Sequence, residues 1–136
     1  MPIAGIAEKL DRYSADDWIA CIISNQGGID KGHKSLESTF LEFRYCLELF
    51  PQIGEAYFCP NFSGSECWRV WGDCKEDHRI LYRDGNYRKP APGMLKLAIA
   101  NHGADEALYV GDRPEDEGAA QATGLPFIWA NDFLRD

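Results

Sequence analysis

Long apolar runs are missing from this chain. The strongest, Trp18 to Ile23, is far shorter than the roughly 20 residues a membrane-spanning helix needs, so no membrane partner is expected. An excess of basic charge is missing too. Lys and Arg total 14 against 22 Asp and Glu, a net charge of -8. That balance opposes loose attraction to phosphate backbones or anionic lipid, although a local basic cluster could still hold one phosphate. Bulk nucleic-acid binding is therefore not expected. An even number of cysteines is also missing. With five, full disulfide pairing within one chain is impossible, and reduced thiols or metal ligands are the natural reading. Glu8, Lys9, Asp11 and Arg12 break up the stretch where a leader's apolar segment would sit, so the expected compartment is the cytoplasm.

What is there is globular. With 45% hydrophobic and 26% charged residues over 136 positions, and no low-complexity tract or internal repeat, a single domain over 1–136 is predicted. Ile6, Leu10 and Tyr13 recur at helical spacing, a polar turn follows, and "WIACIIS" reads as a parallel strand apolar on both faces. Leu36, Phe40, Phe43, Leu47 and Phe50 share one face of a second helix that Pro51 stops, an aromatic stripe that reads as core. "EAYFC" (55–59) is a second strand. Residues 60–88 show no sustained period, a long connection for one domain. "KPAPGMLKLAIANHG" reads as a helix from its prolines to Gly103, "ALYVGD" as a strand, "PEDEGAAQATG" as a short helix, and "LPFIWA" as the last strand. Strands alternating with helices predict a three-layer, Rossmann-like α/β/α domain with a mostly parallel sheet.

In such a sheet ligands gather at the carboxyl ends of the strands. Ser24, Asn25 and Gln26 follow the first strand and offer a hydroxyl, amides and backbone N–H groups suited to phosphate oxygens. Asp112 follows "ALYVG", with Glu115 and Asp116 one helical turn later, and clustered hard oxygens suit Mg2+. Arg88 and Lys89 stand where a helix begins, a position that favours an anion. Each group also has a plain reading, as a turn, a helix cap or a solvated basic pair.

The succession "IISNQGGIDKG", "YRKPAPGML" and "YVGDRPEDEGAAQATGLPFI" resembles the haloacid dehalogenase superfamily of phosphotransferases. Within it, the chain looks like the small-cap branch that includes histidinol phosphatase, heptose bisphosphate phosphatase and polynucleotide 3'-phosphatase. The resemblance implies Mg2+-dependent hydrolysis of a small phosphorylated substrate. Ser24 would bond the transferring phosphoryl group and Lys89 would stabilise its charge, with Asn25 and Arg88 holding substrate. Asp112 would ligate Mg2+, and Asp116 would support the metal or orient Lys89. The family's first motif, Asp-x-Asp at the end of the central first strand, is absent from the sequence. That strand is expected to be missing, which leaves two sheet edges unpaired and the chain inactive by itself. Three explanations stay open: a fragment or misassigned start of a complete phosphatase, a nucleophile-free binding module, or a strand supplied by a separate polypeptide. A homodimer or strand-exchanged dimer becomes more plausible than usual.

The 60–88 stretch would be a small cap or a metal-binding insertion. It brings Cys59, Cys67, Cys74 and His78 close together in sequence, a set that could bind Zn2+, although the spacing lacks the tight pairs of common zinc sites and buried thiols are the alternative. Heptose bisphosphate phosphatases bind zinc there through Cys-x-His and Cys-x-Cys; here Asn61 replaces the His and "DGNY" precedes Arg88. Trp68 and Trp71 would either stack on substrate or pack the loop onto the domain. Cys21 and Cys46 read as core, and His33 and His102 as loop and helix-end residues without partners.

Overall fold

Ala20–Asn25 (β1) and Ile53–Cys59 (β2) run parallel, with Ile22 opposite Ala56 and Ser24 opposite Phe58. The structure is a computed structural model describing residues 5–72 and 78–135. Alternation along β2 sends its side chains to opposite faces of the sheet. Ala56 and Phe58 pack against Phe40 and Phe43 of the helix Leu36–Leu49 (α3), as the aromatic stripe predicts. Tyr57 and Cys59 pack instead against Met94 of the helix Gly93–His102 (α4). One helix thus covers each face, giving the three layers expected. At the start of α3, Ser35 accepts from the Ser38 N–H, an N-cap that removes one unpaired donor.

The stretch read as irregular contains two strands. Cys67–Trp71 (β3) and His78–Tyr82 (β4) form an antiparallel hairpin that extends the sheet in the order β1-β2-β3-β4. Each is five residues long, too short for alternation to stand out, and each carries an arginine. Trp68 packs edge-on against Phe40 at 5.1 Å between ring centres, and Trp71 stacks on His78 at 5.3 Å. Trp68 thus packs the hairpin onto the domain, while Trp71 packs within the hairpin.

The remaining strands stand apart. Tyr109–Gly111 (β5) and Phe127–Trp129 (β6) form a separate parallel pair joined by the helix Pro114–Thr123 (α5). The helices Ile6–Ala15 (α1), Gly27–Asp30 (α2) and Ala130–Phe133 (α6) complete the elements. Among the described residues, neither β1 on the side away from β2 nor β5 on the side away from β6 has a strand partner.

A cavity of about 950 Å³ runs along both edges. It is lined by β1, by residues 108–112, by Ile6, Leu10 and Tyr13 of α1, and by Phe133. The cost is visible in burial. β1 is the most apolar segment of the sequence, yet all its residues are only half-buried, whereas β2 is buried from Glu55 onward. The expected strand covered on both sides is thus uncovered along one edge. No described helix is long and apolar enough to cross a membrane.

Candidate functional site

The upper end of that cavity collects Ser24, Asn25, Arg88, Lys89, Asp112, Glu115 and Asp116. Residues more than 60 positions apart in sequence meet because β1 and β5 both end there.

Lys89 is the hub. Its ammonium donates to Asp116 Oδ1 at 2.6 Å, to the Tyr109 hydroxyl at 3.0 Å and to the Ile23 carbonyl at 3.1 Å, which uses all three of its protons. The Lys89 and Asp116 side chains are 10% and 7% exposed, so this is a buried ion pair. Sequence reading put Arg88 and Lys89 at the start of a helix. In the structure α4 begins only at Gly93, because Pro90 and Pro92 bias the residues before them away from helical backbone. Asn25 positions Lys89 instead. Its amide accepts from the Lys89 N–H at 2.9 Å and donates to the Lys89 carbonyl at 3.1 Å, clasping that backbone to the end of β1.

Asp116 is saturated with donors. Oδ1 accepts from Lys89 and from the Tyr109 hydroxyl, and Oδ2 from the backbone N–H groups of Asp112 and Arg113 at 3.1 and 3.2 Å. Gly111 makes this arrangement possible, since a Cβ there would lie 2.4 Å from Asp116 Cβ and 2.6 Å from Oδ2. Burial by itself would raise the Asp116 pKa. The Lys89 hydrogen bond and charge, then the Tyr109 hydroxyl and the Asp112 N–H, outweigh it and hold the carboxyl below its usual range. Burial and the Asp116 charge push the Tyr109 phenol up, so it stays a neutral donor.

Asp112 and Glu115 line the cavity together with Asp116 but differ from it in burial: Asp112 is exposed and Glu115 half-buried. Hard oxygen donors of this kind fit Mg2+, which takes one or two carboxylates and fills its remaining positions with water and phosphate oxygens. Arg88 supplies an unmet donor. Its Nη1 is buried with no hydrogen-bond partner among the described residues, and its guanidinium lies 4.9 Å from the centre of the Phe62 ring. Gly27 leaves the space, because a Cβ there would sit 3.0 Å from Nη1. Ser24 Oγ accepts from Gln26 Nε2 at 2.8 Å.

Sequence reading missed Tyr109, taken as strand filler. The signal was available: alternation puts Tyr109 and Gly111 on one face of β5, the face that Gly111 opens to Asp116.

Among the described residues, the proposed zinc ligands are not brought together. Cys67 pairs with Tyr82 at one end of the hairpin, while His78 pairs with Trp71 at the other. Four residues of strand put them about 13 Å apart. Cys59 and Cys67 are fully buried in the core, and burial pushes the Cys67 thiol up to about 12. Cys74 lies outside the described residues.

Residues 86–131 match the HAD-hydrolase-like family. D-glycero-D-manno-heptose-1,7-bisphosphate 7-phosphatase of Thermosynechococcus vestitus is 29% identical over 129 residues, covering 90% of this chain and 62% of that protein. The D-glycero-beta-D-manno-heptose-1,7-bisphosphate 7-phosphatase of Pseudomonas aeruginosa is 29% identical over 128 residues, with 90% and 62% covered. A probable heptose bisphosphate phosphatase of Thermoplasma volcanium is 29% identical over 128 residues, with 88% and 75% covered. The chain thus spans about 62% of the length of the first and second of these relatives. Motif order, matched segment and relatives agree in likening the chain to the haloacid dehalogenase superfamily, and within it to the small-cap branch that contains the heptose bisphosphate phosphatases.

Proposed function

We propose that this domain supplies most of the site for Mg2+-dependent hydrolysis of a small phosphomonoester, and that turnover requires an aspartate-bearing strand in the slot between β1 and β5. The observation that carries the reading is the buried Lys89–Asp116 pair at the head of an unfilled gap between two sheet edges. Phosphoryl transfer depends mainly on positioning and charge neutralisation, and the residues gathered here are of that kind.

In this reading the incoming strand is apolar, to match Ile22, Ile23, Leu108 and Val110, and ends in Asp-x-Asp beside Ser24 and Asp112. Its backbone N–H groups take over the Ile23 carbonyl, and the Lys89 ammonium is released from that bond toward the phosphoryl oxygens. The first aspartate attacks phosphorus, the ester P–O bond breaks, and the alcohol leaves with a proton from the second. Water then hydrolyses the acyl phosphate. Ser24 and Lys89 bind the phosphoryl group, Arg88 receives a further anionic oxygen of the substrate, and Asn25 and Asp116 hold Lys89 in place. Asp112, with Glu115 nearby, would hold Mg2+, which would supply charge neutralisation.

The relatives' printed names favour a phosphorylated sugar as substrate. The chain alone and the chain extended ahead of α1 by an apolar strand ending in Asp-x-Asp are assayed against a panel of sugar phosphates and bisphosphates. The expected result is no turnover by the first and Mg2+-dependent phosphate release by the second, abolished by Asp112→Asn. An extended form that folds but releases no phosphate from any member overturns the reading in favour of a non-catalytic phosphate-binding module.

A further inference from the structure

At the opposite end of α4 from Lys89, three metal-binding side chains converge. Cys21 leaves the start of β1, Glu55 the start of β2, and His102 the last turn of α4. Cys21 Sγ lies 3.5 Å from Glu55 Oε1 and 3.8 Å from His102 Nε2, and His102 Nε2 lies 2.5 Å from Glu55 Oε1. His102 is therefore not the partnerless helix-end residue that the sequence suggests. Cys21, read as plain core, shares the cluster.

We infer that Cys21, Glu55 and His102 form a binding site for a divalent metal of borderline softness, ordinarily Zn2+. The donor set of thiolate, imidazole and carboxylate is one zinc takes. Tetrahedral bonds of about 2.3 Å to sulfur and about 2.0–2.2 Å to nitrogen and oxygen place the ligand atoms about 3.4–3.6 Å apart. Both sulfur distances already lie within a few tenths of an ångström of that spacing, and only the His102–Glu55 hydrogen bond must open.

The surroundings fit ligands held in place. Arg69 bonds the other Glu55 oxygen, Oε2, at 2.7 and 2.8 Å and so fixes the carboxylate with Oε1 turned toward Cys21 and His102. Tyr57 donates to Oε1 at 2.5 Å, and Asn101 bonds the Tyr57 hydroxyl at 3.1 Å. Partners of this kind orient metal ligands. A second cavity, of about 380 Å³, opens on Cys21 and His102 and carries Asp16, Asp17 and Glu106 in its lining. It gives a cation a route in and leaves room for a water as fourth ligand.

A nucleophilic Cys-His-Glu triad is the competing use of these residues. A triad needs the acid and the nucleophile on opposite ring nitrogens, whereas here Cys21 Sγ and Glu55 Oε1 both lie against His102 Nε2, at 3.8 and 2.5 Å, so no proton relay is formed. A bound ion would instead tie the end of α4 to β1 and β2, steadying the helix whose other end follows the Arg88–Lys89 loop.

The test is anaerobic titration of the reduced, metal-free full chain with Co2+, reading the thiolate-to-cobalt charge-transfer band, followed by displacement with Zn2+. One equivalent should bind with that band present. Cys21→Ser should lose the band. His102→Gln, which keeps a side-chain hydrogen-bond donor for Glu55, should weaken binding on the order of 100-fold. Cys46→Ser and Cys74→Ser should bind as the parent does. No band in the parent, a band unchanged in Cys21→Ser, or a band lost in Cys74→Ser would each overturn the assignment. None of these readouts depends on phosphatase activity.

Discussion

Replacing Asp116 by Ala strips the Lys89 ammonium of its carboxylate while the lysine stays in a site where its side chain is 10% exposed. The Tyr109 hydroxyl and the Asp112 and Arg113 N–H groups lose their acceptor in the same step. Removing one partner of a buried pair costs about 3–5 kcal/mol, because the remaining charge is left uncompensated. A domain of this size is stable by only about 5–15 kcal/mol, so roughly a fifth or more of the total is at stake. Urea unfolding followed by tryptophan fluorescence reads the loss. Adding Lys89→Met to Asp116→Ala should recover about 1–2 kcal/mol, since no stranded ammonium remains.

The pH dependence follows from the depressed Asp116 pKa. A carboxyl with a lowered folded-state pKa contributes its full stability above the unfolded value of about 3.9, and loses it as pH falls through the lower folded value. The gap between parent and Asp116→Ala should therefore hold from neutral pH down to about pH 4 and narrow only below it. A gap under about 1 kcal/mol at pH 7, where a solvated pair would lie, refutes the buried-pair reasoning. So does one that closes between pH 7 and 5.

Gly111→Ala should cost about 1–3 kcal/mol in the same unfolding assay, as the new Cβ displaces the Asp116 carboxylate; a neutral outcome would show that Asp116 can move aside. Arg88→Met should alter stability by less than about 1 kcal/mol, because Nη1 has no partner to lose. It should also weaken inorganic phosphate binding measured by calorimetry, and undiminished binding would remove Arg88 from the site. Hydrogen exchange read by mass spectrometry should find β1 less protected than β2, given that β1 is half-buried and flanked by the cavity. Equal protection would mean that the edge is not open in solution.

The sequence made legible whatever rests on period and on punctuation. The α3 stripe from Phe40 to Leu47, the apolar β1, and α5 between Pro114 and Gly124 all stand where spacing and caps put them. The candidate site was legible through chain order, since three polar groups following three recognisable segments converge on one cavity. What stayed hidden depends on contacts between distant positions. Nothing in "RKP" says that Asn25 clasps the Lys89 backbone, and nothing in "YVG" says that a phenol and an ammonium share one carboxylate oxygen. The β3–β4 hairpin was hidden because five-residue strands with an arginine each carry too little pattern. Two of the proposed zinc ligands are separated for a related reason: despite their closeness in sequence, Cys67 and His78 stand at opposite ends of that hairpin.

The central claim is that the slot between β1 and β5, once filled by an aspartate-bearing strand, turns Ser24, Lys89 and Asp112 into a phosphoryl-transfer site. Its most direct test compares Mg2+-dependent phosphate release by the strand-extended chain with that of the same chain carrying Asn in place of the first aspartate of the added strand. The account predicts release by the first and none above background by the second. Equal release by both, or none by a folded aspartate form, would contradict it.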